Sequence, residues 1–138
     1  MKDFKSTINN KSASFRNNKE AMKSLVSELD GYLKISHLQG NEIALKRAKE
    51  RGKSLTRDKI AKLLDKDSPF LELMPLAGLK HENGFGPGGT TIAGIGLVKN
   101  KLCIINANIG TKKGGVVDYA TSLKNLRLSQ IAKENKLT

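Results

Sequence analysis

Apolar residues recur at helical spacing through the first half of the chain and at strand spacing after residue 69. Met22, Leu25, Val26, Leu29 and Leu33 follow at three- and four-residue steps, which predicts one apolar helix face. Residues 1–17 are polar and expected to be loose, with Asn17 or Asn18 capping the helix. Gly40 and Asn41 break the run and cap a second helix, from Glu42 to about Glu50, which Gly52 closes. Ile43, Ala44 and Ala48 give it a weak apolar side; Lys46, Arg47 and Lys49 make it basic. Thr56 is expected to cap a third helix carrying Ile60, Leu63 and Leu64. The segment Asp65–Pro69 ends it, because the residue before a proline resists helix.

The period then changes. Phe70 to Leu73 reads as a short strand, residues 75–90 as a glycine-rich loop, and Thr91–Val98 as a strand of alternating small and apolar residues. Leu102–Ala107 is β-prone and follows Lys99-Asn100-Lys101, so the two runs predict a hairpin. A polar, glycine-containing turn from Ile109 to Gly115 leads to a last helix, about Ala120 to Lys136, with Leu123, Leu126 and Ile131 on its apolar side. Helices, strands and helix in that order give an α/β arrangement, with a further strand expected beyond Thr138 and an unpaired sheet edge without it. The expected organisation is a flexible 1–17, a helical segment 18–66 and the start of an α/β core at 67–138.

The 138 residues suffice for one domain, and the formal net charge of +12 calls for an anionic partner: nucleic acid, a phosphate-bearing ligand or an acidic protein. Four phenylalanines, two tyrosines and no tryptophan leave few base-stacking platforms, which weakens a single-stranded nucleic-acid reading. A Lys- and Asn-rich compositional bias is an alternative source of part of the charge, which lowers its weight as a functional sign. Cys103 is the only cysteine, so an internal disulfide and a cysteine-based zinc site are excluded; a small apolar residue in a buried strand is its expected role. His37 and His81 lack ligand spacing, and no metal is expected. No apolar run approaches the roughly 20 residues of a membrane span, and Met1–Lys5 shows no secretory h-region. The expected location is the bacterial cytoplasm, or the mitochondrial matrix for a eukaryotic source, although no clear presequence is present.

Three motifs bear on chemistry. Gly84-Phe85-Gly86-Pro87-Gly88-Gly89 has the letters of a dinucleotide fingerprint but precedes a strand instead of following one, so a mobile loop or lid is the better reading. Arg51-Gly52-Lys53, after Lys46, Arg47 and Lys49, is either a solvated basic face or a contact for phosphate groups. Lys112-Lys113-Gly114-Gly115 is either a tight strand-to-helix turn or a backbone cradle for an anionic group or a thioester oxygen. No Ser/His/Asp constellation, paired-carboxylate site or P-loop is apparent.

These segments resemble one family. Arg51-Gly52-Lys53 with Arg57-Asp58-Lys59-Ile60 and Leu63-Leu64-Asp65 is similar to the run RGKLxxRERIxxLLD, and Ser68 to Leu73 to its SPFLEL. Gly94 to Val98 resembles TGIGRV, and Asn108 to Gly115 resembles NDATVKGG. Thr121, Lys124, Leu126, Arg127, Ile131, Ala132 and Asn135 resemble TVKKHLRAQEIAxxN. The family is the carboxyltransferase (β) subunit of biotin-dependent acyl-CoA carboxylases. The resemblance covers about residues 15–137, and the early run Asn18–Val26 looks most like the 3-methylcrotonyl-CoA branch, with the propionyl-CoA and geranyl-CoA carboxylases as the alternatives. Departures cluster at the turn: Ile109 for the family aspartate, Gly110 for alanine, Lys112 for valine, and Val116–Ala120 in place of the TYYP stretch.

The resemblance implies an incomplete crotonase-like β-β-α fold preceded by an N-terminal helical segment. It implies transfer of carboxylate from carboxybiotin to an acyl-CoA, here 3-methylcrotonyl-CoA in leucine breakdown. Biotin is carried by the partner biotin carboxylase/biotin carrier α subunit and is not bound by this chain; other β subunits complete the enzyme, and neither nucleic acid nor membrane is involved. The implied acyl-CoA-binding candidates are Arg51, Lys53, Asn108, Thr111, Lys113, Gly114 and Gly115. No catalytic residue is implied, because the family's SGGA oxyanion turn follows the next strand, and the chain alone is expected to be inactive. The alternative is a small basic nucleic-acid-binding protein, and a truncated gene product without a separate role is a third reading.

Overall fold

A computed structural model describes residues 6–138; the expectations for Met1–Lys5 lie outside the described residues. Four α-helices and three strands run in the order α1 (Ala13–His37), α2 (Glu42–Glu50), α3 (Thr56–Leu63), β1 (Phe70–Glu72), β2 (Thr91–Val98), β3 (Lys101–Asn108) and α4 (Tyr119–Glu134). Two compact units are distinguished, one ending at Tyr32 and one spanning Leu33–Thr138.

In the first unit α1 starts four to five residues before the expected cap. Ser12 Oγ accepts the Phe15 N–H at 3.1 Å, which satisfies an amide that would otherwise lack a partner, so Asn17 and Asn18 lie inside the helix. Met22, Leu25, Val26 and Leu29 do share a helix face, but that face is exposed.

In the second unit the strands form an antiparallel meander, β1-β2-β3. Thr91 faces Asn108 and Val98 faces Lys101, so a two-residue turn, Lys99-Asn100, closes the hairpin. Both turn residues have positive φ, as a type I′ turn demands, and Asp65 carboxylate oxygens accept both of their amides at 2.7 Å. Asp65 thus does more than end α3: it fastens the helix exit to the hairpin tip.

Side-chain parity then assigns the sheet's two faces. Ile92, Ile105 and Ile109 form one core cluster with Ile60 of α3, joined by Leu64, Phe70, Val98 and Ala107. Gly94 is required here, since a β-carbon would run into the Phe70 ring and the Leu71 carbonyl. The opposite face meets α4, where Asn106 Nδ2 donates to Asn125 Oδ1 at 3.0 Å. The buried side of α4 is Ala120, Thr121, Lys124 and Leu128. Leu123 and Leu126, expected on that side, are exposed. Ala120, Thr121 and Lys124 pack beneath the loop before β2, and Leu123 and Leu126 turn outward. Beside β3, the Ile104 N–H donates to the Thr138 carbonyl at 2.8 Å. Among the described residues no helix is long and apolar enough to cross a membrane.

Candidate functional site

Between α2, the start of α3, the glycine-rich loop and the turn after β3 lies a cleft of about 1150 Å³. Local sequence builds each wall. Asn41 Oδ1 caps α2 by accepting the Ala44 N–H at 2.9 Å, and the helix presents Ile43, Ala44, Arg47 and Ala48 to the cleft. Past its end, Arg51 and Lys53 line the same space. Thr56 is not a cap: it is the first residue of α3, and its Oγ1 donates to the Asn108 carbonyl at 3.0 Å, joining the helix start to the end of β3.

The linker between α1 and α2 fixes the opposite wall. Thr111 Oγ1 donates to the Gln39 carbonyl, while Gln39 Oε1 accepts the Arg57 N–H at 2.9 Å. Arg57 in turn makes a two-pronged pair with Glu72, at 2.8 and 3.0 Å, with His37 Nε2 3.7 Å from the same carboxylate. Gly40, at φ 140°, lies so close to Thr111 that a β-carbon would stand 2.5 Å from its carbonyl oxygen.

The turn after β3 takes the left-handed conformation at Lys113, Gly114 and Gly115 in succession. The Gly115 N–H donates to the Lys112 carbonyl at 2.9 Å, so this amide closes the turn and is not directed at a ligand. Lys113 Nζ lies 5.9 Å from the centroid of the Phe85 ring across the cleft mouth.

All seven sequence-derived candidates, Arg51, Lys53, Asn108, Thr111, Lys113, Gly114 and Gly115, line this one cleft. Sequence reasoning did not place Arg47, Lys59, Phe85 or Lys112 among them, yet they line it too. Six of the lining side chains are cationic, none is a carboxylate, and Ile35, Leu38, Ile43, Leu55, Phe85 and Pro87 supply apolar surface. Of the departures at the turn, Ile109 is buried in the core at 2 % exposure and faces Ile60 and Ile92 instead of the cleft.

The glycine-rich loop, expected as a mobile loop or lid, is anchored over its second half. Pro87 to Thr90 are buried. Asp118 Oδ2 accepts the Phe85 N–H at 2.8 Å, Thr121 Oγ1 accepts the Thr90 N–H at 3.2 Å, and Thr90 Oγ1 donates to the Val116 carbonyl at 2.8 Å. Asp118 also caps α4 by accepting the Thr121 N–H at 2.8 Å. Burial pushes its carboxyl pKa up, but hydrogen bonds from Thr121 and the Phe85 amide outweigh this and hold it below the usual carboxylate value. Lys112 also titrates below its ordinary value: burial lowers its pKa, partly offset by the nearby Asp118 charge.

The cleft is basic and half apolar and lies beside a strand–turn–helix unit, a lining chemically suited to an anionic group with an apolar portion. The carboxyl transferase domain family matches residues 47–138, and the chain belongs to that family. A Mycobacterium tuberculosis protein named biotin-dependent 3-methylcrotonyl-coenzyme A carboxylase beta1 subunit is 45% identical over 113 residues, 82% of this chain and 21% of that protein. A Drosophila melanogaster protein named probable methylcrotonoyl-CoA carboxylase beta chain, mitochondrial, is 40% identical over 134 residues, 96% of this chain and 23% of that one. The crystal structure of the beta subunit of Pseudomonas aeruginosa geranyl-CoA carboxylase superposes with a TM-score of 0.85 at 36% identity, over 97% of this chain and 25% of that one. The fold is therefore part of a crotonase-like carboxyltransferase domain, and the chain spans about a quarter or less of the length of these relatives.

Proposed function

We propose that this chain is the acyl-CoA-binding part of a carboxyltransferase (β) subunit of a biotin-dependent acyl-CoA carboxylase, of the 3-methylcrotonyl-CoA type that serves leucine breakdown. The observation that carries the reading is the cleft lining: six cations, no carboxylate and a strip of apolar surface. Coenzyme A asks for that combination, with phosphates at one end and a less polar pantetheine arm leading to the thioester. Arg51, Lys53 and Lys113 are the exposed cations assigned to phosphate, and Asn108, Thr111, Gly114 and Gly115 to the wall along which the arm lies.

The carboxyl donor in this reading is carboxybiotin, delivered by a biotin carboxylase/biotin carrier α subunit, with further β subunits completing the enzyme. When present, biotin supplies the activated carboxyl group. The cleft lining, rich in cations suited to phosphate, gives no reason to place biotin on these residues. The acyl carbon must become a nucleophile, which throws negative charge onto the thioester oxygen. An oxyanion donor there is worth about 2.7–4 kcal/mol. The SGGA turn that supplies such donors in the family does not occur among the 138 residues, so these residues bind and orient and no catalytic residue is assigned to them. The compartment proposed is the bacterial cytoplasm, or the mitochondrial matrix for a eukaryotic source.

Titration of the purified chain with coenzyme A by calorimetry tests the binding half. The expected outcome is saturable binding, weakened about tenfold or more by Arg51→Glu with Lys53→Glu. Duplex-DNA binding with no response to coenzyme A would point to the nucleic-acid alternative. For the chain alone, no transfer of labelled carboxylate from carboxybiotin to 3-methylcrotonyl-CoA is expected; measurable transfer would overturn the assignment of a purely binding role.

A further inference from the structure

One wall of the cleft is held by two lysines from different elements. Lys124, in the second turn of α4, is only 2 % exposed, and its Nζ donates to the carbonyls of Gly88 at 3.2 Å and Thr91 at 2.8 Å. Lys112, from the turn after β3, places its Nζ 3.4 Å from the Pro87 carbonyl. The residues just before these carbonyls, Phe85, Gly86 and Pro87, face the cleft, whereas Lys124 does not line it. An ammonium buried against neutral carbonyls loses hydration that no counter-charge in direct contact restores. A methionine would fill much the same volume without that loss, but it would not tether two carbonyls three residues apart.

The geometry points to Lys124, assisted by Lys112, as a clamp that fixes the Phe85–Pro87 wall and thereby sets the fit of the ligand. Lys124 is in this sense a positioning residue, and its effect on ligand rests on the acyl-CoA reading above. The groups that face it are Glu72 on β1, whose charge favours the ammonium, and Lys112 and Arg57, whose charges oppose it. Burial is the largest influence and brings its pKa down from 10.5 to about 8. The clamp therefore weakens as pH rises through about 8, where the ammonium loses the charge that strengthens its hydrogen bonds to the two carbonyls.

Amide hydrogen exchange and coenzyme A titration on the full chain test this, comparing the native chain, Lys124→Met and, as a control on the exposed end of the hairpin, Lys101→Met. In Lys124→Met, protection at Gly88, Gly89 and Thr90 is expected to fall about tenfold while the β2–β3 amides keep theirs, and coenzyme A affinity to fall about fivefold. Unchanged protection together with unchanged affinity would overturn the clamp. Should Lys124→Met not fold, the native chain is read at pH 7 and 9. Protection factors confined to residues 85–91 are expected to drop, and a flat profile there overturns the proposal. If the native chain binds no coenzyme A at all, the acyl-CoA reading fails, and the exchange data still decide whether the clamp exists.

Discussion

At the residue scale, two charged side chains carry opposite linkages to pH. Asp118 titrates below the ordinary carboxylate value in the folded chain. Its contribution to stability is therefore present above about pH 4, the unfolded value, and is lost as pH falls through the folded value. Asp118→Ala removes a helix cap and an acceptor for the Phe85 amide, so it should cost about 2 kcal/mol or more near neutrality. Urea midpoints should show the gap between the two proteins narrowing as pH is lowered toward 2. For Lys124 the folded value, about 8, lies below the unfolded 10.5, so between those limits the unfolded chain holds more protons. Global stability should then rise with pH across that window, and Lys124→Met should lack the rise. Loop protection is expected to fall over the same range, and this opposition of signs separates a tether from a lysine that is merely packed. Ile109 makes a different point. The sequence comparison marked it as a departure at a ligand-facing turn, yet strand parity carries Ile105, Ala107 and Ile109 to the same side, into the core.

At the element scale, what was legible in the sequence was what depends on neighbours in the chain. Alternation and turn chemistry identified Thr91–Val98 and its hairpin partner, and Asn41 announced α2. Contacts between distant segments were not legible. Thr56 has the composition of a cap, but its hydroxyl serves the carbonyl of Asn108, 52 residues away. The α4 pattern pointed to Leu123 and Leu126 because leucine is apolar, whereas the buried side holds Ala120, Thr121, Leu128 and a lysine ammonium tied to the carbonyls of Gly88 and Thr91. The anchoring of the glycine-rich loop was not legible, because a one-dimensional pattern does not reveal that Asp118, Thr121 and Lys124 will reach it. The same reasoning makes the linker Gln39–Gly40 the element on which the cleft depends. Gly40→Ala introduces a β-carbon against the Thr111 carbonyl at a φ that side chains rarely adopt, and Thr111 lines the cleft. A loss of about 1–3 kcal/mol in a urea melt is expected, with amide shifts centred on residues 109–115. Shifts confined to α2 would show that the linker does not bear on the turn.

At the scale of the molecule, the excess of positive charge acts both as a general field and as a local site, and the two make different predictions. A net charge of +12 attracts any polyanion from any direction, and exposed Lys101 and Lys133 contribute to it although neither lines the cleft. The cleft concentrates six cations around an apolar strip with no carboxylate to compete. If coenzyme A is held by that local set, raising salt from about 50 to about 500 mM should weaken binding several-fold, because exposed ion pairs are screened beyond roughly one Debye length. Neutralising Arg51 and Lys53 with glutamine should weaken binding and flatten the salt dependence together. Neutralising Lys101 and Lys133, which changes net charge by the same amount, should leave both nearly unaltered. Pantetheine, which lacks the nucleotide phosphates, should bind weakly and with little response to salt. Equal effects from the two double variants would mean that the general field draws the ligand and that the cleft confers no preference. A selective effect of Arg51 and Lys53 would tie affinity to the segment between α2 and α3, where the basic run was first visible in the sequence.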